Sequence, residues 1–470
     1  MPTLTAESEH RPFFRSVLEA IRGTEQDFTE GSISRAVLLL ATPMVLEMFM
    51  ESLFAVVDIF WVTQLGPNAV AAIGLTESLQ ALVFAVAMGL TMATTAMVAR
   101  RIGEKNSRGA AVAAGQAILL GIIVAVVMGL PAAWFAPRLL ELMGAAPALV
   151  ANGRSYTTII MGSSVTVMLL FLNNAIFRGA GDPAVAFRVL AVSNAINLVL
   201  DPCLIFGWGP FPKMGLTGAA VATAVGRSIG VLFQFWILFG GSSRISIRLG
   251  DLRPEWRVMA SLVRVSSTGV LQFAVGHTSW VALVRIISAF GGFAVAGYTI
   301  GIRIFAFAIL PAWGLSGAAA TMVGQNLGAG RPERAARAVW LTGFYNMLYM
   351  VSVAAVFIAF PESIIGLFTH DPAVVPYAVN CLRIVSYGNL SYAFGMVMVQ
   401  AFNGAGDTVT PSIINIIGFW MCQIPLAWFL AMPAGFGVNG VFAAIPLAES
   451  FITVMGLAVF CRGKWKTRKI

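Results

Sequence analysis

Twelve apolar runs follow one another between residues 36 and 461, parted by short polar breaks. Their approximate limits are 36–62, 69–98, 109–135, 148–176, 184–208, 215–240, 258–290, 294–322, 335–360, 373–400, 410–432 and 437–461. Each is about 20 residues or longer, the length at which a helix crosses a ~30 Å hydrocarbon core. The pattern predicts an all-α polytopic membrane protein. Residues 1–35 are polar, except that Phe13, Phe14, Val17, Leu18 and Ile21 form one apolar stripe at helical spacing. A short amphipathic helix on the inner membrane surface and a mobile tail both account for it.

The polar positions inside the runs are few and ordered. Asn194, Asn197 and Asp201 stand at i, i+3 and i+7 in the fifth run, on one face of a helix. Glu47, Glu51 and Asp58 make an acidic face in the first. Insertion scales put a carboxylate at the bilayer centre at ~2.5–3.5 kcal/mol. Two readings offset that cost: a polar knot between helices, or an ion or proton site. Glu47 and Glu51 are candidates for lining a substrate cavity, and a salt bridge to a buried arginine is the other reading. Glu77 and Arg227 lie in one half of the chain, and Arg303 and Glu449 in the other with the signs exchanged. One ion pair within each half is expected, as packing glue. His277 is either a pH-responsive group or a packing histidine.

Composition narrows the class. Of 470 residues 58% are hydrophobic and 11% charged, against about 25% charged in soluble domains. The net charge of +9 does not point to nucleic acid, because Lys and Arg gather in alternate loops. They stand at Arg100, Arg101, Lys105 and Arg108, at Arg178 and Arg188, at Arg244, Arg248, Arg253 and Arg257, at Arg331, Arg334 and Arg337, and in the tail from Arg462. The intervening loops hold little beyond Arg138 and Lys213. The positive-inside rule then places both termini in the cytoplasm, in a cell inner membrane. Residues 1–35 show no apolar core of a cleavable signal. The four cysteines (Cys203, Cys381, Cys422, Cys461) have no metal spacing, and His10, His277 and His370 form no catalytic cluster. An enzyme is therefore not expected, nor a cofactor. The expected partners are small-molecule substrates and the bilayer, with no nucleic acid and the chain a monomer.

The chain also repeats itself. Phe177-Arg-Gly-Ala-Gly-Asp182 returns as Phe402-Asn-Gly-Ala-Gly-Asp407, 225 residues later. Ala96–Gly103 matches Thr321–Gly328 and Leu65-Gly66 matches Phe290-Gly291 at the same displacement; Gly215–Gly218 matches Gly437–Gly440 after a three-residue slip. The chain divides into a segment 1–35, a six-helix half 36–240, a basic linker 241–256, a second half 257–462 and a basic tail 463–470. Six spans per half give both halves one topology. Asp182 and Asp407 are expected to cap the helices that follow. Asp58 maps to Leu283 and Asp201 near Gln423, so the acids belong to one half alone.

Val56-Val-Asp-Ile-Phe-Trp-Val-Thr-Gln-Leu-Gly66, the two Gly-Ala-Gly-Asp turns, Asn197–Asp201–Pro202 and Gly218-Ala-Ala-Val-Ala-Thr223 together resemble the multidrug and toxic compound extrusion (MATE) transporters. The resemblance covers nearly the whole chain after residue 35. It implies two six-helix bundles forming a V around a central cavity. It also implies export of organic, cationic or amphipathic compounds in exchange for H⁺ or Na⁺ by alternating access. Acids are lacking in span 7 and, after its start, in span 10, so the chain looks like the DinF-like branch. That branch implies a cation site at Asp58, Asn174, Asn197, Asp201 and Thr223, with Na⁺ as one occupant at Asp58 and Asp201. Pro43 matches the family's first-helix proline, a hinge position. A lipid-linked carrier flippase of the same wider superfamily is the alternative. Two neighbouring carboxylates suit exchange, since burial and mutual repulsion let such a pair share a proton near neutral pH.

Overall fold

The computed structural model describes residues 13–23, 26–241 and 243–468. The side chains of residues 13–15 fall outside it, so only part of the N-terminal stripe can be placed; His10 lies outside the described residues as well. The stripe is helical, as α1 (Phe13–Arg22). Then come α2 (Ile33–Thr63), α3 (Pro67–Gly103), α4 (Ser107–Trp134), α5 (Ala136–Leu142), α6 (Pro147–Gly162), α7 (Ser164–Ala180), α8 (Pro183–Phe206) and α9 (Leu216–Gly240). The second half holds α10 (Trp256–Ile287), α11 (Gly292–Gly328), α12 (Pro332–Ala359), α13 (Pro361–Ile365), α14 (Val375–Ser386), α15 (Asn389–Gly404), α16 (Val409–Asn415), α17 (Ile424–Ala431) and α18 (Gly437–Cys461). A π-helical stretch, Ile416–Gln423, joins α16 to α17. With α6–α7, α14–α15 and α16–α17 each counted as one rod, twelve rods match the twelve apolar runs.

Spans 4 and 10 are broken where continuous helices were expected. The bend between α6 and α7 is 40°. At that break the Ser163 hydroxyl donates to Ile160 O (3.0 Å) and the Thr166 hydroxyl to Ser163 O (2.7 Å). Such local bonds offer the backbone an alternative to the helical ladder. The second break, at Tyr387-Gly388, falls 225 residues later. A Cβ on Gly388 would come within 2.6 Å of Pro446 Cβ. The repeat is therefore carried in backbone geometry. Gly66 and Gly291 share φ near +97° and +99°, and Gly181 and Gly406 lie at +87° and +78°. Asp407 caps its helix, accepting from the Thr410 amide (3.3 Å) and hydroxyl (2.6 Å). Asp182 makes no such side-chain bond, being turned toward Gly23 and Arg188.

The halves as cut by sequence are not the bodies that pack. At its inner end, meaning only the end toward the basic loops, α2 joins the second half: Ala36, Leu40 and Met44 share a cluster with Ala318, Met322 and Ala338. The inner end of α10 joins the first half, where Met259, Leu262 and Val265 lie in its core. Small residues allow the crossing. A Cβ on Gly314 would stand 2.5 Å from Met44 O, and one on Gly89 2.6 Å from Ser266 O. Gly103 lies against Gln325 and Gly328 against Arg100 just as closely. Close backbone approach of this kind drives association in lipid, where apolar burial does not. Every one of these approaches lies in the inner half of the helices, on the side of the basic loops. Pro43, inside an unbroken α2, stands beside Met44, where α2 changes partners.

The linker is anchored. Gln116 on α4 donates to Asp251 O (2.9 Å) and Arg253 O (2.8 Å) and accepts from the Glu255 amide (2.9 Å). Arg108 pairs with the buried Asp251 at 2.7 Å. Residues 26–31 form a strap across the inner face. Arg244 of the linker holds Gln26 O (2.6 Å), while Arg331 holds Thr29 O (2.7 Å) and Arg334 holds Glu30 O (2.7 Å) and Gly31 O (2.8 Å). Phe28 is fully buried beneath it.

Candidate functional site

Asp201 sits near the outer end of α8 and is fully buried. One turn inward, the Asn197 amide donates to Asp201 Oδ1 at 3.2 Å and reaches Thr223 Oγ1 of α9 at 3.4 Å. The two helices meet closely because α9 carries glycine where it faces α8. A Cβ on Gly226 would stand 3.1 Å from Ser193 O and 3.4 Å from Asn197 Cβ. Asn194 serves a different end, donating to Met50 O of α2 at 2.9 Å. That bond fixes α2 against α8, and Asp58 of α2 lies in electrostatic contact with Asp201. Asp58 Oδ1 and Asp201 Oδ2 are buried with no hydrogen-bond partner among the described residues. Carboxylate oxygens so placed are costly unless a proton or cation reaches them.

Sequence reasoning missed Tyr156 of α6. It is buried and feels the fields of Asp58, Glu77, Arg227 and Asp201. The one available signal was depth: it lies within a few turns of the outer end of its span, as both aspartates do.

Asn174 does not belong to this cluster, contrary to expectation. Its amide donates to Glu47 Oε1 (2.9 Å) and its carbonyl oxygen accepts from Gln234 Nε2 (2.7 Å). The Gln234 oxygen accepts in turn from Asn173 (3.1 Å). The reason is axial distance. Glu47 and Asp58 are eleven residues apart on α2, about 16 Å of helix, and Asn174 lies at the inner level. Glu47 is likewise no cavity residue. It is 2% exposed and sits 3.4 Å from Arg178, because a buried carboxylate is held by charge and hydrogen bonds.

Glu51 does line a cavity of about 340 Å³ between the halves, with Met48, Glu77, Phe84, Arg178 and Trp313 among its walls. His277 lines it too, stacked on Phe273 at 6.1 Å. The ion pairs expected within each half are not formed. Among the described residues neither Glu77 with Arg227 nor Arg303 with Glu449 approaches within salt-bridge distance. Arg227 instead lies 5.3 Å over the Phe54 ring and acts on Glu51 and Asp58. Glu77 has Arg303 of the other half as its charged neighbour. The two glutamates line cavities instead, Glu77 the central one and Glu449 another in the second half. In the second half, Leu283 and Gln423 are buried at the places equivalent to the two aspartates. Among the described residues no three His, Cys, Asp or Glu side chains gather as around a metal ion.

Comparison with known proteins follows the same twofold division. The MatE family model matches residues 43–203 and again 270–429. The probable multidrug resistance protein NorM of Thermotoga maritima is 27% identical over 442 residues, 93% of this chain and 94% of that protein. The FAD transporter of Shewanella oneidensis is 25% identical over 433 residues, covering 91% and 94%. Among solved structures, the outward-facing form of a multidrug resistance MATE family transporter of the MOP superfamily superposes with a TM-score of 0.87 at 25% identity, covering 93% of this chain and 97% of that one.

Proposed function

The chain belongs to the MatE family, and from that premise we propose that it is a secondary active antiporter of the cytoplasmic membrane. It exports organic cationic or amphipathic compounds in exchange for H⁺ or Na⁺. The observation that carries the reading is the pair of carboxylates, Asp58 and Asp201, each with a buried unbonded oxygen and present in one half only. Asn197 and Thr223 are polar neighbours able to serve either protonation state or a bound alkali ion. When the site takes its cation, the charge between α2 and α8 is neutralised and α2 is free to shift against α8. The ion must bind the two cavity orientations with different affinity, because equal affinity shifts nothing.

Close inter-half packing on the inner side supports a structure with its inner face shut. Glu51 and Glu77 in the cavity wall favour a cationic cargo over an anionic one. The protein acts as a monomer and needs no cofactor beyond the coupling ion. Transport of a fluorescent organic cation into proteoliposomes, driven by an imposed pH gradient in one arm and a Na⁺ gradient in the other, tests the reading and names the ion. Asp58→Asn and Asp201→Asn should each abolish gradient-driven transport in protein that still folds. Wild-type rates in either variant would sink the site.

A further inference from the structure

The second half contains a cavity that the carboxylate pair does not explain. It encloses about 440 Å³ and adjoins the central one, sharing with it Met92 of the first half and Phe273, His277, Trp313, Gln400 and Asn403 of the second, within the size range of small-molecule pockets. Five aromatic side chains wall it: Phe273, Trp280, Trp313, Tyr392 and Phe419. Its one acidic residue is Glu449 of α18, and no Lys or Arg lines it. Glu449 also borders a smaller recess with Tyr298 and Gln423. No ion pair reaches this carboxylate among the described residues.

The surroundings are built to hold it there. Gly418 of the π-helical stretch packs directly on Ile452, one turn from Glu449. The Ser450 hydroxyl donates to Ser391 of α15 at 3.0 Å and Thr453 to Ser391 O at 2.7 Å, which fixes the rotation of α18. The Trp420 indole donates to Val275 O of α10 at 3.3 Å. π-Helical turns within α-helices recur at functional sites. Two amide oxygens, Gln272 Oε1 in this cavity and Gln423 Oε1 in the recess, are buried and unbonded. Both are acceptors awaiting a donor or a positive charge. At the equivalent position of the first half stands Arg227, 222 residues earlier, the displacement that separates Gly215 from Gly437. The two halves thus carry opposite charges at one structural place.

We infer that this aromatic, singly acidic pocket around Glu449 is a binding site for the charged head of an organic monocation, separate from the Asp58–Asp201 pair. Aromatic faces attract a desolvated cation, and Glu449 supplies the opposite charge. Coupling ion and cargo then occupy different halves. Equilibrium binding needs no ion gradient, so this site and the coupling reading succeed or fail separately.

Equilibrium dialysis of tetraphenylphosphonium against the purified full-length protein in lipid nanodiscs tests it. Glu449→Gln should weaken binding roughly tenfold or more, while the anionic isostere tetraphenylborate binds no worse. Trp280→Leu should also weaken the cation, and Trp280→Phe should restore most of it, so that a folding defect in one variant leaves the other decisive. Unchanged affinity in Glu449→Gln, or equal losses for both isosteres, overturns the proposal. So does loss in Glu51→Gln with Glu449→Gln intact, which would seat the cation in the first half.

Discussion

Asp201 is buried, yet only one of its carboxylate oxygens is bonded. The bond comes from Asn197, so Asn197→Ala leaves a buried acceptor unsatisfied, at about 1–3 kcal/mol. Apparent affinity for the coupling ion should fall roughly tenfold while transport survives at a saturating gradient; ion titration of proteoliposome flux measures it. Gly226→Val should act similarly from across the interface, pushing Thr223 away by overpacking that costs about 1–3 kcal/mol. Asp58 and Asp201 were legible because a charge in an apolar run demands a reason. Tyr156 was not, since a tyrosine there reads as ordinary packing. Asn174 was misplaced because residue identity survived from the resemblance while its depth along the helix went against it.

A helix face read from sequence fixes spacing but not the neighbour it meets. That is why the acidic face of α2 was foreseen, and why the pairing of Glu77 and Arg227 was not. Glu77 has Arg303 as its charged neighbour. Exchanging those two charges should therefore rescue transport better than exchanging Glu77 with Arg227, a comparison made directly in a drug-resistance assay. Breaks at Ser163 and Gly388 were equally invisible, being local competition within continuous apolar runs. The strap has its own chemistry. Burial pushes the Asp27 carboxyl up, but the Thr29 hydroxyl and amide and the charges of Lys105 and Arg244 outweigh it and leave it below the usual range. Its folded pKa lies below the unfolded one, so its contribution is complete above about pH 4 and lost as pH falls through the folded value. Hydrogen exchange at residues 26–31 should be steady, after correction for intrinsic rates, from pH 7 to about 5 and rise only in stronger acid.

For the whole molecule the twelve rods and the twofold repeat were readable from apolar runs and displaced motifs. The exchange of inner ends between α2 and α10 was not, since it depends on contacts between residues far apart in the chain, such as Met44 with Gly314 and Gly89 with Ser266. It makes the inner seam a place where backbones touch. A cysteine pair at Ala99 and Gly324, where a Cβ on Gly324 would stand 2.6 Å from that of Ala99, should crosslink under oxidation and stop transport, with recovery on reduction. Crosslinked protein that still transports would rule out opening of this seam.

The strap also has a place in time. Gln26 leaves the ribosome 218 residues before Arg244, and Thr29 leaves 302 residues before Arg331. At ~5–20 residues per second, this segment waits on the order of 15–60 s for partners not yet synthesised. Its docking therefore reports that the start of α12 has been made.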